Sequence, residues 1–178
     1  MECEPPHDDS VVKSYDSPEK RALQAYNTAV RLLGSRDHSV AELTRKLRQR
    51  EHDEDAISDA LEELTELNYV NDQRYAQLFT EQRVEKGSGP LLIQSKLRER
   101  GIDQRLVAAA LATFDGCWCD YAQAVLEKRF DAQGICSREK RDEARIARFL
   151  ASRGFAMSDA LRALKAARAE IERGSRQR

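Results

Sequence analysis

The sequence is poor in the residue types that build one large apolar core. Aromatic residues make up 6% of its 178 residues, whereas 34% are charged, so many side chains must face water. No apolar stretch approaches the roughly 18 residues that a membrane-spanning helix requires. Residues 1–10 are acidic and have no apolar centre, which argues against a secretion signal. We expect a cytoplasmic protein built as one domain or a short array of small units, without membrane association.

Residues that support catalysis or metal binding are also scarce. The chain has four cysteines and three histidines. Cys117 and Cys119 are two positions apart, but no second Cys/His pair has zinc-like spacing, so we expect free thiols in a reducing compartment. There is no G-x-x-x-x-G-K-[ST] phosphate loop, and the histidines have no Cys or Ser partner at a catalytic spacing. We therefore expect no enzyme, no catalytic residue, no metal and no cofactor.

Strand signals are almost absent, and apolar residues instead recur at helical spacing. Ser39, Asp53 and Asn71 are predicted N-caps, and Pro90 fits the first turn of a helix that follows the breaker GSGP. The spacing predicts these core-facing residues on the first, third and fourth helices: Leu23, Tyr26, Ala29, Val30, Leu33; Ile57, Ala60, Leu61, Leu64, Leu67; and Tyr75, Leu78, Phe79.

The chain contains a repeat of about fifty residues. KLRQREHDEDAISDAL (46–61) and KLRERGIDQRLVAAAL (96–111) are identical at seven of sixteen positions, and FLASRGFAMSDALRAL (149–164) continues the register. A similar helix precedes each copy: AYNTAV, RYAQLF and DYAQAV. This period is typical of helical repeat arrays. The sequence therefore predicts an all-α array of three tandem three-helix, helix-turn-helix-like repeats.

The register separates structural residues from surface residues. The first and last leucines of each copy should be buried: Leu47, Leu97 and Leu150, then Leu61, Leu111 and Leu164. Gly101 and Gly154 occupy the position of a left-handed helix C-cap. The first copy has Glu51 there, at a cost of about 1 kcal/mol unless that turn differs.

The predicted organisation has five parts. Residues 1–19 form an acidic tail, 20–69 the first repeat, 70–115 the second, 116–173 the third with a longer first connection, and 174–178 a basic tail.

The net charge of -1 is unevenly distributed: -4 over residues 1–17, -3 over 18–69, 0 over 70–136 and +6 over 137–178. This polarity favours an oriented partner over a uniform polyanion.

Three segments resemble the RecX regulators of the RecA recombinase: RLLGSRDHSVAELTRKL (31–47), LEELTELNYVNDQRYAQ (61–77) and KGSGPLLIQSKLRERGID (86–103). Residues 66–76 fit the pattern ELxYxxDxRxA, and residues 86–90 fit Lys-Gly-x-Gly-Pro. Asn68 stands where that family usually has glycine, which Asn can replace in a left-handed conformation.

The resemblance implies an elongated array of three three-helix repeats that lies in the helical groove of the RecA–single-stranded DNA filament. It also implies inhibition of strand exchange, RecA ATP hydrolysis and repressor co-cleavage. The implied protein is a non-enzymatic monomer that contacts single-stranded DNA only indirectly or weakly.

Three basic clusters are the candidate sites for partner or DNA binding. They are Lys46, Arg48 and Arg50; Lys96, Arg98 and Arg100; and Arg141, Arg145, Arg148 and Arg153, the last group predicted to share one helix with Arg138 and Lys140. Cations near a helix C-terminus are also favoured by the helix dipole, so a structural role for the first two clusters stays open. For the third cluster the alternative is a solvated helix face.

A helix-turn-helix regulator of duplex DNA is the alternative function, and a general helical adaptor is a further one. Residues 51–66 hold eight acids and no base, and residues 103–114 read DQRLVAAALATF. The first helix would repel the DNA backbone, and the second has almost no donors for base edges. The sequence therefore favours a protein partner.

Overall fold

The computed structural model describes residues 17–114 and 118–176, and these residues form ten helices and no strand. The predicted all-α class is confirmed. The described chain divides after Val70 into two compact units. The helices are α1 (Pro18–Leu33), α2 (Val40–Arg48), α3 (Glu54–Glu66), α4 (Asp72–Glu85), α5 (Pro90–Glu99), α6 (Gln104–Ala112), α7 (Trp118–Arg129), α8 (Ala132–Cys136), α9 (Lys140–Ser152) and α10 (Met157–Arg176).

The structure shows where the predicted N-caps lie and where the first and last helices begin and end. Ser39, Asp53 and Asn71 are N-caps whose side chains accept backbone N–H groups, and Pro90 opens α5. Helix α1 begins at Pro18, two residues before the predicted start of the first repeat at residue 20. Helix α10 runs to Arg176, so most of the predicted basic tail is helical. Residues 1–16, with Cys3, lie outside the described residues, as do Cys117 and residues 177–178.

The first unit packs α1 against α3 through alanines. Ala25 of α1 and the α3 residues Ala56 and Ala60 form one buried cluster, and a second cluster surrounds Leu43, Leu47 and Leu64. Small side chains at the contact let two helices approach closely. The buried face of α1 is therefore centred on Ala25 and Ala29.

Three predicted core residues of the first unit are wrong. Leu23 is 58% exposed, Val30 41% and Leu67 55%. Leu23 borders α3 beside Ala60 but stays largely exposed. Val30 is outside the buried set of α1, and Leu67 follows the end of α3. The hydrophobic spacing predicted the right helices, but it assigned the buried face to the largest apolar side chains.

The same turn ends the second helix of every repeat. A left-handed residue lies two or three positions after the last residue of each helix, with φ of 62° at Glu51, 76° at Gly101 and 89° at Gly154. The next amide donates to the carbonyl of the buried leucine five residues earlier: His52 to Leu47 at 3.3 Å, Ile102 to Leu97 at 3.1 Å and Phe155 to Leu150 at 3.1 Å. The first turn does not differ, so Glu51 adopts a conformation that favours glycine. Asn68 is also left-handed, with φ of 58°, as predicted.

The second unit contains two cores. Helices α4–α6 enclose Leu97 and Val107, and helices α7–α10 enclose Leu150 and Phe155. Trp118 packs against both. The leucines of the repeat register are buried as predicted, except that Leu111 is half-buried. Leu78 is wrong as a core residue, because it is 40% exposed on α4.

The longer connection of the third repeat forms a helix of its own, α8, which the sequence analysis did not predict. Asp131 caps it, and Ile135 is buried in the core. Arg168 of α10 fixes this connection, since its guanidinium donates to the Ile135 carbonyl at 2.7 Å, to the Ser137 carbonyl and to Glu143 at 2.7 Å. Arg168 therefore has a structural role.

Two glycines join the second and third repeats. The Gly89 amide donates to the Arg153 carbonyl at 2.7 Å, and the Leu91 amide donates to the Gly154 carbonyl at 3.0 Å. A Cβ on Gly89 would lie 2.5 Å from the carbonyl carbon and oxygen of Gly154, and one on Gly154 would lie 2.4 Å from Leu92. Gly89 has no side chain to cap α5. The free amides at the start of α5 and the free carbonyls at the end of α9 therefore satisfy one another.

We predict that Glu51→Gly stabilises the first unit by about 0.5–1 kcal/mol, because it removes the steric cost of a left-handed non-glycine residue. The greater freedom of glycine in the unfolded chain offsets part of the gain. Hydrogen exchange of the α2 and α3 amides measures the change. Glu51→Ala is the control, since it removes the carboxylate and keeps the Cβ; an equal gain in that variant would show that strain is not the cause.

We predict that Gly89→Ala destabilises the second unit by roughly 2–3 kcal/mol, because the new methyl group meets backbone atoms that must move. Fluorescence of Trp118, the single tryptophan of the chain, follows urea unfolding of this unit. Gly174→Ala is the matched control: its Cβ meets nothing within 4 Å, so it should gain up to about 1 kcal/mol of helix propensity. A Gly89→Ala protein as stable as the wild type would contradict the close contact.

Candidate functional site

The first predicted cluster lies at the end of α2. Arg48 makes a forked ion pair with Glu54, with Nε–Oε1 and Nη2–Oε2 distances of 2.6 and 2.7 Å. This hydrogen-bonded pair raises the pKa of Arg48 and lowers the pKa of Glu54. Lys46 is half-buried and has no ion-pair partner among residues 17–114 and 118–176. Arg48 is therefore neutralised within its own repeat.

The second cluster lies at the equivalent end of α5. Lys96 Nζ lies 2.8 Å from Glu99 Oε2, and this hydrogen bond lowers the pKa of Glu99. The Arg100 guanidinium lies 4.7 Å from the centre of the Phe79 ring, a cation–π distance. Arg98 is exposed on α5.

One arginine contact is common to the two clusters. Arg50 Nη1 donates to the Lys46 carbonyl at 3.0 Å, and Arg100 Nη1 donates to the Lys96 carbonyl at 3.0 Å. A cation that binds the last carbonyl groups of a helix stabilises the C-terminus of that helix. These two arginines thus make the contacts expected of a structural role in both repeats.

The third cluster divides in two. Arg141, Arg145 and Arg148 are exposed on α9 at spacings of four and three, so they share one helix face. We call these three residues the α9 arginine face. Within it, Arg145 lies 3.7 Å from Asp142, and Arg148 Nε donates to the Ala144 carbonyl at 3.1 Å.

Lys140 lies on α9, but Arg138 and Arg153 do not. The helix spans Lys140–Ser152, so Arg138 precedes it and Arg153 is its C-cap residue. Arg138 lies 3.4 Å from Glu172. The prediction that these residues share one helix is wrong at both ends, because the helix is two residues shorter at its start and one at its end.

Arg153 lines a groove that the sequence patterns did not predict. It lies with Lys86, Lys128 and Arg129 around a cavity of about 470 Å³ in the second unit. The lining residues come from three separate stretches of chain: the ends of α4 and α9 and one face of α7. Because these stretches are far apart in sequence, local charge clusters in the sequence do not reveal the groove. Spacing on α7 was the one available signal, since positions 121, 124, 125, 128 and 129 form a second stripe beside the buried Ala122 and Leu126.

Charge of the opposite sign covers α3 in the first unit. Glu54, Asp55, Asp59, Glu62, Glu63 and Glu66 are all exposed on this helix. In the second repeat, α6 exposes Gln104 and Arg105 and then Ala108 and Ala109. Neither helix offers a row of base-edge donors.

His38 is a buried titratable group of the first unit. It is 2% exposed, and its Nδ1 lies 2.9 Å from the Arg36 carbonyl oxygen. Because a carbonyl only accepts, Nδ1 carries the proton, and the buried Nε2 has no hydrogen-bond partner in the described part of the chain. Burial lowers the pKa of His38, and the charges of Arg36 and Lys46 act in the same direction; the Arg36 carbonyl and Glu42 oppose it.

Within the described ranges, 17–114 and 118–176, no group of His, Cys, Asp and Glu side chains could hold a metal ion. None of the helices there is both long enough and apolar enough to cross a membrane. Cys119 and Cys136 are half-buried free thiols, as expected.

The fold defines an all-helical protein of three-helix repeats, and comparison with known proteins shows its family. Residues 25–64 match the first three-helix domain of RecX, and residues 71–111 match the second. A "Regulatory protein RecX" of Halorhodospira halophila is 37% identical over 148 residues, which cover 83% of this chain and 91% of that protein. A protein of the same name from Xanthomonas axonopodis pv. citri is 39% identical over 127 residues, covering 71% and 77%. The chain belongs to the RecX family of regulatory proteins.

Solved structures agree with this fold. The crystal structure of RecX from Lactobacillus salivarius matches with a TM-score of 0.75 at 22% identity, covering 84% of this chain and 97% of that one. A second crystal structure, of a regulatory protein RecX, matches with a TM-score of 0.68 at 22% identity, covering 80% and 70%. At this identity the likeness concerns the fold alone.

We predict that acid destabilises the first unit partly through His38. Its pKa is lowered by folding, so below about pH 6.5, the ordinary histidine value, the unfolded chain binds more protons and stability falls. His38→Asn keeps a donor near the Nδ1 position and cannot titrate, so it should flatten the decline between pH 8 and pH 5. Urea midpoints followed by circular dichroism measure both slopes, with pH 8 as the reference; identical slopes would contradict the prediction.

Proposed function

We propose that this protein binds the RecA–single-stranded DNA filament, along its helical groove, and inhibits strand exchange, ATP hydrolysis and repressor co-cleavage by RecA. Membership of the RecX family is the observation that carries the proposal. The action is non-enzymatic, by occupancy of the filament, and takes place in the cytoplasm. The protein acts as a monomer and contacts single-stranded DNA indirectly or weakly.

The charges of the described helices support a protein partner. Helix α3 exposes six carboxylates in the first unit, whereas α9 exposes three arginines in the second. A surface that changes sign along the chain complements a partner whose own charge varies, and such complementarity fixes orientation and accelerates association. We propose the α9 arginine face as the main cationic contact, because its side chains are exposed and project from one helix.

Direct regulation of duplex DNA is supported less well. A recognition helix needs side chains that reach base edges in the major groove. The helices in the corresponding positions, α3 and α6, present carboxylates and alanines instead. Arg98 and the α9 arginine face could still meet phosphates, which gives weak, salt-sensitive and sequence-independent binding.

We predict that the protein lowers the rate of ATP hydrolysis by RecA on single-stranded DNA at concentrations near that of RecA. Reversal of the α9 arginine face (Arg141→Glu, Arg145→Glu and Arg148→Glu together) should raise the concentration for half-inhibition more than about tenfold, because three attractive contacts become repulsive. An ATPase titration with wild type and variant measures both.

The control for net charge is a triple reversal of exposed bases elsewhere: Arg31→Glu, Arg105→Glu and Arg173→Glu. It changes the net charge equally and should shift half-inhibition less than about threefold. Absence of inhibition by the wild type at excess concentration would refute the proposed function. Equal losses in the two triple variants would refute the assignment of the α9 arginine face. Tight, salt-steep binding to duplex DNA alone would favour the alternative regulator.

A further inference from the structure

The groove that contains Arg153 is formed where three helices of the second unit end. Val84 and Lys86 come from the end of α4, Phe149 and Arg153 from the end of α9, and the remaining wall is one face of α7. Its volume of about 470 Å³ falls in the usual range of about 300–1,000 Å³ for pockets that hold a ligand. The space suits one or two large side chains and is too small for a folded element.

The floor of the groove is apolar. Tyr121, Ala124 and Val125 of α7 face it at helical spacing, opposite Val84 and Phe149. Gly87 closes one side: its φ of 74° is left-handed, and a Cβ there would lie 2.8 Å from Val125. The absence of that side chain lets Val125 lie directly against the backbone. Ala124 is exposed, so this part of the α7 stripe has apolar surface in contact with water.

The rim of the groove is basic. Lys86, Lys128, Arg129 and Arg153 are exposed, and Glu85 is the single acid among the lining residues, which gives a net formal charge of +3. None of the four bases forms an ion pair with a carboxylate in the described part of the chain. The negative ends of the helix dipoles offset only part of this charge, so the groove remains basic.

The aromatic rings of the groove are already in contact with other groups. Tyr121 packs edge-on against Phe114 and tilted against Trp118, with ring centres 6.2 and 5.4 Å apart. Phe149 meets Phe130 edge-to-face, and the Arg153 guanidinium lies over its ring at 5.5 Å. Recognition of single-stranded nucleic acid relies on free ring faces for base stacking, so this groove suits an apolar side chain better than a base.

We propose that the groove receives a short acidic segment of a protein partner, which inserts one large apolar side chain against the apolar floor lined by Tyr121, Ala124 and Val125. Carboxylates on either side of that anchor pair with Lys86, Lys128, Arg129 and Arg153. A buried apolar anchor within a ring of charge is the usual form of a binding hot spot. The inference concerns the chemistry of the segment and holds whichever protein supplies it.

The test measures binding of fluorescein-labelled seven-residue peptides to the full-length protein by anisotropy. The probes are Asp/Glu peptides with a central Leu, Met, Phe or Trp, the same peptides with a central Ser, a Lys/Leu peptide and an eight-residue oligothymidylate. At least one acidic, apolar-centred peptide should bind at least tenfold more tightly than its Ser counterpart and the Lys/Leu peptide. The oligothymidylate should bind no better than the Ser peptide.

Two variants locate the binding. Ala124→Trp fills the groove from an exposed position, so the fold should be retained and peptide affinity should fall about tenfold or more. Lys128→Glu with Arg129→Glu should cause a similar loss, whereas Arg105→Glu on α6, outside the groove, should change affinity less than about twofold. Circular dichroism confirms folding of each variant.

Four results would overturn the inference. The first is no binding of any acidic peptide at millimolar protein concentration. The second is binding that Ala124→Trp leaves unchanged in a folded protein. The third is a preference for the oligothymidylate, which would make the groove a nucleic-acid site. If Lys128→Glu with Arg129→Glu lowers thermal stability without changing affinity, these bases serve only to stabilise helix ends, and the inference also fails.

Discussion

The backbone contact between Gly89 and Gly154 determines the geometry of the second unit. Two hydrogen bonds, from the Gly89 and Leu91 amides to the Arg153 and Gly154 carbonyls, join the start of α5 to the end of α9. Either glycine would clash with its neighbour if it carried a Cβ. The contact satisfies donors and acceptors that helix ends otherwise leave to solvent, and it aligns the positive end of one helix dipole with the negative end of another. It also fixes Arg153 beside Lys86, where its Nη1 lies 3.5 Å from the Lys86 carbonyl.

The repeat preserves the interior of each unit and changes its surface. Leu47, Leu97 and Leu150 are fully buried, and the turn that follows each helix has the same hydrogen bonds in all three repeats. Glu51 shows how strongly the turn is required, because the backbone adopts the left-handed conformation even without glycine. Surface positions carry no such constraint. The repeats could therefore acquire an acidic α3 and a basic α9 on one architecture, which is how a repeat array comes to contact different parts of a partner.

The repeat register predicted the fold well because it averages over three copies of one pattern. Spacing within one helix was less reliable. On α1 the buried face consists of alanines, and alanine contributes little to a hydrophobic pattern although it permits the closest helix contacts. The stripe was therefore assigned to Leu23 and Val30, which are exposed. Helix α8 was not predicted, for a different reason. Its five residues are too few to show a helical period of 3.6.

Binding residues were harder to predict, because composition locates bases and only tertiary structure shows which of them are already engaged. Arg48 and Lys96 have carboxylate partners, and Arg50 and Arg100 bind carbonyls of their own helices. An engaged base must lose its partner before it can bind another, which cancels much of the gain. The exposed bases around the groove have no carboxylate partner to lose in the described part of the chain, although Arg129 and Arg153 lie over aromatic rings, and they gather there only because three helix ends converge. Folding has thus engaged most bases of the first two sequence clusters, whereas the α9 arginine face stays exposed on one helix and the groove bases are brought together by packing.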